Sequence, residues 1–267
     1  MSINASQNEI SAARAYEDLH VPALFRQFAP LLVEAAHVQP GQRVLDVACG
    51  TGVLAREAAA MVGENGFVAG LDASPGMLAV AADLAPSVEW KQGLAESLPY
   101  EAGSFDAVLS QFGLMFFPDR AAAIREMLRV LAPRGRFAVA VWESLERSQA
   151  YPEEVALLER LISPEAANAL RAPFVLGDRD ALVQLVADAG AASVEVTTHH
   201  GTARFPSIRA MVEADLRGWL PVMGVHPDEA QIEAVLQAAE DVLGRYRTAD
   251  GTVVFDAPAH IVTGQKP

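Results

Sequence analysis

The chain has 267 residues, 51% of them hydrophobic, which is enough to bury a sizeable core without disulfide or metal support. Its 34 acidic residues against 20 Lys and Arg give a formal charge of −14. With the cations scattered, that balance argues against nucleic acid as a substrate, since phosphate recognition needs clustered Lys and Arg. A single cysteine excludes an internal disulfide, and neither a secretory leader nor an apolar run of membrane-spanning length is visible, so the expected compartment is the cytoplasm, with no membrane insertion.

In chain order, residues 8–37 hold two helix-like stretches, the second starting at Pro22, which suits a first helical position. A strand over 43–48 runs into Gly50-Thr51-Gly52 and a helix over 52–62. A second strand over 66–72 ends in Asp72, and Ser74-Pro75 caps a helix over 75–84. Strands follow at 88–92 and 105–111. The helix from Asp119 carries Ile124, Met127, Leu128 and Leu131 on one face, and Pro133 and Gly135 are expected to stop it before a strand over 136–142. Beyond Trp142 come helices over 152–162 and 180–189, an alternating strand over 194–198, a mostly helical stretch over 207–247, and a strand over 259–263 that can pair with 194–198.

A strand that runs into glycines and then a helix lets the backbone approach a ligand at the helix N-terminus. Asp72, twenty residues after Gly52, stands where a neighbouring strand end presents a carboxylate to both hydroxyls of a ribose. Gly50-Thr51-Gly52-Val53-Leu54-Ala55 also fits the relaxed dinucleotide fingerprint, so a nicotinamide-dependent oxidoreductase is the first rival. Asp46 counts against it, because a carboxylate there repels a pyrophosphate and attracts an ammonium or sulfonium. The only lysines, Lys91 and Lys266, form no Tyr-x-x-x-Lys pair.

Four ordered segments resemble the class I S-adenosylmethionine-dependent methyltransferases: Asp46-Val47-Ala48-Cys49-Gly50-Thr51-Gly52, Gly70-Leu71-Asp72-Ala73-Ser74-Pro75-Gly76-Met77, Gln92 to Pro99 with Ser104 to Leu109, and Leu128 to Phe137. Through Gln111 to Asp119 the chain is most similar to the ubiquinone/menaquinone-biosynthesis C-methyltransferase-like group, the resemblance covering residues 40–143. It implies an α/β, Rossmann-like seven-stranded sheet, mostly parallel with an antiparallel last strand, carrying helical N-terminal and C-terminal cover insertions. The implied division is an N-terminal helical cover at 1–37, a cofactor-binding core at 38–146, and completion of the sheet with substrate-cover insertions at 147–267, all in one domain. The implied cofactor is S-adenosyl-L-methionine. Asp46, Ala48, Gly50, Thr51 and Gly52 are expected around its amino-acid half, Asp72 and Ala73 at the ribose, Met77, Leu94 and Ala95 at the adenine, and Gln111 lining the donor site. Members often carry an acidic residue at the position of Leu94, and leucine cannot accept the bond from the adenine amino group.

The expected partner is a small, fairly apolar methyl acceptor, whose accepting atom (carbon, oxygen or nitrogen) is open; nothing in the sequence sets an oligomeric state. Tyr16 and His20 share a helix face and are the candidate catalytic residues, with a solvent-exposed capping histidine as the competing reading of His20. With Phe112, Met115, Trp142 and Trp219 they make the candidate acceptor pocket. Phe117 is read as core, Arg204 as solvated surface, Cys49 as a small filler behind the cofactor, and the neighbours His199 and His200 as pointing to opposite faces. No metal site is expected: Glu153-Glu154 and Asp178-Arg179-Asp180 lack His or Cys partners and read as acids at helix N-termini. A cofactor-binding protein of this fold that transfers no methyl group is the remaining alternative.

Overall fold

In the computed structural model, which describes residues 4–267, seven strands form one sheet in the order β3-β2-β1-β4-β5-β7-β6. The first three positions of the expected 1–37 segment lie outside the described residues. The strands are β1 (Arg43–Val47), β2 (Phe67–Asp72), β3 (Glu89–Gln92), β4 (Phe105–Gln111), β5 (Leu131–Trp142), β6 (Ala192–Phe205) and β7 (Val253–Gln265). β1 to β5 pair in parallel, and β7 runs antiparallel between β5 and β6. Val44, Leu45 and Val47 of β1 are fully buried, as parallel strands covered on both faces require.

The helices are α1 (Gln7–His20), α2 (Ala29–Ala35), α3 (Val53–Val62), α4 (Pro75–Leu84), α5 (Arg120–Val130), α6 (Tyr151–Leu161), α7 (Pro164–Arg171), α8 (Arg179–Asp188), α9 (Ile208–Ala214), the single turn α10 (Leu220–Val222) and α11 (Glu229–Val242). Their starts follow local chemistry. Ser6 and Glu9 close a capping box on α1, Asp228 and Gln231 do the same on α11, and the Ser74 hydroxyl accepts the Met77 N–H at 3.3 Å ahead of α4. Among the described residues no helix is long and apolar enough to cross a membrane.

Three elements differ from the sequence reading. The N-terminal stretches do not separate at Pro22: α1 runs on through a π-helical turn, Val21–Phe25, and a 3₁₀ turn, Arg26–Phe28, into α2. Pro22 cannot donate the next helical bond, and the ladder widens to π spacing there, with the Val21 N–H on the Tyr16 carbonyl, so the helical run continues across the proline. β5 starts at Leu131 instead of 136, because Leu131 already pairs with Phe105, and the residues up to Arg136, including Pro133 and Gly135, form an irregularity inside the strand. β6 and β7 run to 14 and 13 residues, well beyond the short alternating cores, since they pair along twelve register positions from Ala192↔Gln265 to Phe205↔Val253.

At the carboxyl end of the sheet, Phe28 is fully buried and meets Phe112 at 5.2 Å and Trp142 at 5.6 Å, both edge-on. It ties the N-terminal segment to the ends of β4 and β5. Phe28→Ala is expected to cost about 3–5 kcal/mol, read as a lower midpoint in urea unfolding at unchanged m-value.

Candidate functional site

Two features meet at the carboxyl edge of the sheet, where open α/β folds bind ligands. One is the turn after β1. Gly52 has φ +85°, and a Cβ there would sit 2.4 Å from the Trp90 ring, so the turn needs glycine for its conformation and for its contact. Ala48 (φ +58°) and Phe112 (φ +56°) are left-handed non-glycine residues ending β1 and β4, and a Cβ on Gly113 would meet the Ala48 Cβ at 2.7 Å. Such conformations cost on the order of 1 kcal/mol each and persist only where packing enforces them.

The turn gathers two carboxyls, Asp46 buried and Asp72 half-buried. Asp46 is 1% exposed, and neither of its side-chain oxygens has a hydrogen-bond partner. Burial pushes its pKa well up, opposed in part by the Ala55 amide near the start of α3 and reinforced by Asp72. Asp72 is also raised by burial, although its oxygens accept the Gly50 and Ser74 N–H groups, each at 2.8 Å. Each of those oxygens keeps a free lone pair. Cys49 is buried in the turn and its thiol pKa is raised by burial.

α1 covers this turn. The Thr51 hydroxyl donates to Glu17 at 2.5 Å, and Arg56 bonds both Glu17 (2.8 Å) and the Thr51 carbonyl (2.7 Å). The Tyr16 ring lies 3.9 Å from the Cβ position of Gly50. Burial first, then Asp72, Glu17 and Asp46, raise the Tyr16 pKa, so its phenol stays protonated. His20 stacks on Tyr16 at 5.6 Å, and burial pushes its pKa down to about 4 with Nδ1 left unpartnered.

The second feature is a cavity of about 810 Å³ under α1 and the C-terminal helices. Its wall includes Tyr16, His20, Phe112, Trp142 and Trp219, and it reaches Ser74 and Met77 beside Asp72. Phe112 and Trp142 stack at 3.9 Å with rings 14° apart. The volume falls in the usual range for a small-molecule site.

The other sequence-predicted residues are placed as follows. Met115 is 3% exposed and lies outside the cavity wall, which takes Phe116 instead, because the 3₁₀ turn Leu114–Phe116 sends the two side chains apart. Leu94 is 60% exposed while Ala95 is buried. The Gln111 amide donates to the Phe25 carbonyl at 3.2 Å, leaving its Oε1 unpartnered. Arg204 and His200 are exposed. Glu154 lies in the first turn of α6, as its reading as a helix N-terminal acid requires, and is fully buried there.

Several residues of the site carried no motif. Trp90 packs against both Gly52 and Gly70, and a bulky ring on a strand beside two glycines was its only trace. Phe25 and Asp215 reach the cavity from π-helical turns, which no simple periodicity reveals.

A methyltransferase-domain family matches residues 44–135, the span that holds the turn, Asp72 and β4. The chain is 31% identical to the 2-phytyl-1,4-naphtoquinone methyltransferase of Thermosynechococcus vestitus, over 56% of this chain and 76% of that one. The chain belongs to the class I S-adenosylmethionine-dependent methyltransferases. It is also 39% identical over 138 residues to the ubiquinone/menaquinone biosynthesis C-methyltransferase of Ectopseudomonas mendocina, covering 48% of this chain and 54% of that enzyme. The chain thus spans about half the length of several curated relatives it matches. The YcgJ protein of Bacillus subtilis has the same fold, with a TM-score of 0.59 at 21% identity over 90% of this chain and 98% of that one. S-adenosylmethionine is the cofactor of the family. The turn fits it: an orphaned buried carboxyl at Asp46 lacks the cation that an amino-acid moiety brings, and Asp72 retains lone pairs for ribose hydroxyls.

His20 sets a pH dependence for the closed α1. Its folded pKa of about 4 lies below its ordinary 6.5, so the unfolded or opened segment binds more protons between those values. The stabilisation is complete above about pH 6.5 and is lost as pH falls towards about 4. Amide-exchange protection factors in residues 7–28, taken against the intrinsic rate at each pH, are expected to fall over that window, and His20→Phe to flatten the response.

Proposed function

We propose that the protein transfers a methyl group from S-adenosylmethionine to a small, fairly apolar molecule held in the aromatic cavity. The observation that carries this reading is the junction at Ser74 and Met77, where the cavity comes up against the Asp72 end of the turn. In this reading Asp46, Ala48, Gly50, Thr51 and Gly52 hold the amino-acid half of the cofactor, and Asp72 and Ala73 hold the ribose. Met77, Leu94 and Ala95 flank the adenine, and Gln111 lines the donor site. Residues 1–37 and the helical parts of 147–267 serve as the acceptor's cover over the core at 38–146.

When bound, the cofactor supplies an activated methyl on a good leaving group. The chain's own work is orientation and exclusion of water. Phe112 and Trp142 offer a flat aromatic wall to an apolar ring, while Tyr16 and His20 close the side under α1. Tyr16, held protonated, is suited to donate a hydrogen bond. His20 is neutral at pH 7 and is a weak proton acceptor at most. The quinone methyltransferases to which the chain is similar support an aromatic or quinoid acceptor.

Isothermal titration is expected to show binding of S-adenosylmethionine and its demethylated product, with none of NADH. Asp72→Ala should weaken both by about a hundredfold, the scale of two lost charge-assisted hydrogen bonds. NADH binding alone would move the reading to hydride chemistry, and undiminished affinity in a folded Asp72→Ala would remove the ribose assignment.

A further inference from the structure

The cavity wall carries one group that methyl-donor binding does not use. Asp215 opens the π-helical turn Asp215–Trp219, which follows α9 and also brings Arg217, Gly218 and Trp219 to the cavity. It is 7% exposed, and it is the buried charged residue of that wall among the described residues. Behind it, off the cavity wall, Glu154 of α6 is 0% exposed, lies within hydrogen-bonding reach of Asp215 and meets no N–H or O–H donor at either carboxyl oxygen. No Lys, Arg or His pairs with either acid among the described residues; Arg217 is committed to Glu213 and Glu229. Tyr151, also on the wall, has its pKa raised by burial, then by Asp215 and Glu154.

Two touching carboxyls in a low-dielectric interior cannot both ionise, so they hold a proton between them and keep one negative charge with free lone pairs. Burial raises the Glu154 pKa well above its usual range and that of Asp215 to about 7. An uncompensated pair of this kind contributes little to stability, since apolar residues of similar volume commonly do as well or better. The backbone points the same way. The cavity is lined from two π-helical turns, Val21–Phe25 and Asp215–Trp219, and π turns concentrate at functional sites. Near these turns the wall adds Leu24, Phe25, Trp142, Phe174 and Trp219, which suit a ring, and the Asp215 carboxyl is a buried acceptor among them, alongside the polar groups of Tyr16, His20 and Tyr151 on the same wall.

We propose that Glu154 and Asp215 act as one proton-sharing pair that anchors the acceptor, accepting a hydrogen bond from an O–H or N–H on an otherwise apolar ring. The inference rests on the cavity being the acceptor chamber. It makes the pair a specificity device: a ring with a donor group is retained, and the same ring with that group capped is not.

The test is calorimetric titration of the full chain, saturated with S-adenosylhomocysteine, using 1-naphthol and 1-methoxynaphthalene as probes. The wild type is expected to bind 1-naphthol about tenfold or more tightly. Asp215→Leu should weaken 1-naphthol by that factor and leave 1-methoxynaphthalene unchanged or tighter. Retained S-adenosylhomocysteine binding and a cooperative melt show that the variant is folded. Should Asp215→Leu fail those checks, Asp215→Asn is read instead, with the preference falling several-fold. Equal affinities in the wild type, or a preference that survives in the folded variant, overturn the anchor while the chamber stands. Binding of neither probe removes the chamber reading and the anchor with it.

Discussion

The close approach of backbone at the end of β1 governs the arrangement of everything around it. β1 is buried on both faces, so the chain can leave the sheet only through residues that tolerate left-handed geometry, and Trp90 then fills the space that side chains on Gly52 and Gly70 would take. The turn therefore gathers backbone N–H groups and two carboxyls beneath α1, whose Tyr16 and Glu17 side chains lie over it. Ala48 and Phe112 take the same unusual conformation at adjacent strand ends, so the strain is concentrated along the carboxyl rim of the sheet.

The electrostatics follow from that placement. Asp46, Glu154 and Asp215 are buried and Asp72 is half-buried, and desolvation is the leading influence on each. Asp72 is the one of the four that holds two backbone N–H groups, which suits a fixed, pre-oriented acceptor. Asp46 lacks any partner, which suits a group whose partner arrives with the ligand. In a chain carrying −14, buried acids without cations are costly unless a ligand completes them.

The cover is coupled to the turn through a single acid. Glu17 binds both Thr51 and Arg56, so α1 is held against the glycine turn by a partly buried ion pair and a short hydrogen bond. The same helix supplies Tyr16 and His20 to the cavity, and it passes into a π turn and then to Phe28, which packs on Phe112 and Trp142. The glycine turn, α1 and the aromatic wall are in this way parts of one connected packing unit.

The order of strands and helices through Trp142 was legible because each depends on local pattern: apolar runs for buried strands, Ser74-Pro75 and Asp119 for helix starts, glycines and Asp72 for the ligand edge. Those signals are short-range, and so is the chemistry they report. The family resemblance extended them to the cofactor and to the class of sheet, including its antiparallel strand. What lay beyond sequence reading depended on contacts between distant segments. The lengths of β6 and β7 come from pairing with each other, the start of β5 from the Leu131–Phe105 pair, and the course of 21–28 from π and 3₁₀ turns with no period to detect. Trp90 beside the glycines, Glu17 on Thr51, and Glu154 against Asp215 each join residues at least 18 positions apart. The sequence by itself determined the glycine turn after β1 and the acid that ends β2, because each is written in a short local pattern. Only the tertiary structure decided which side chains wall the cavity, because burial and pairing there are set by packing between elements that share no local signal.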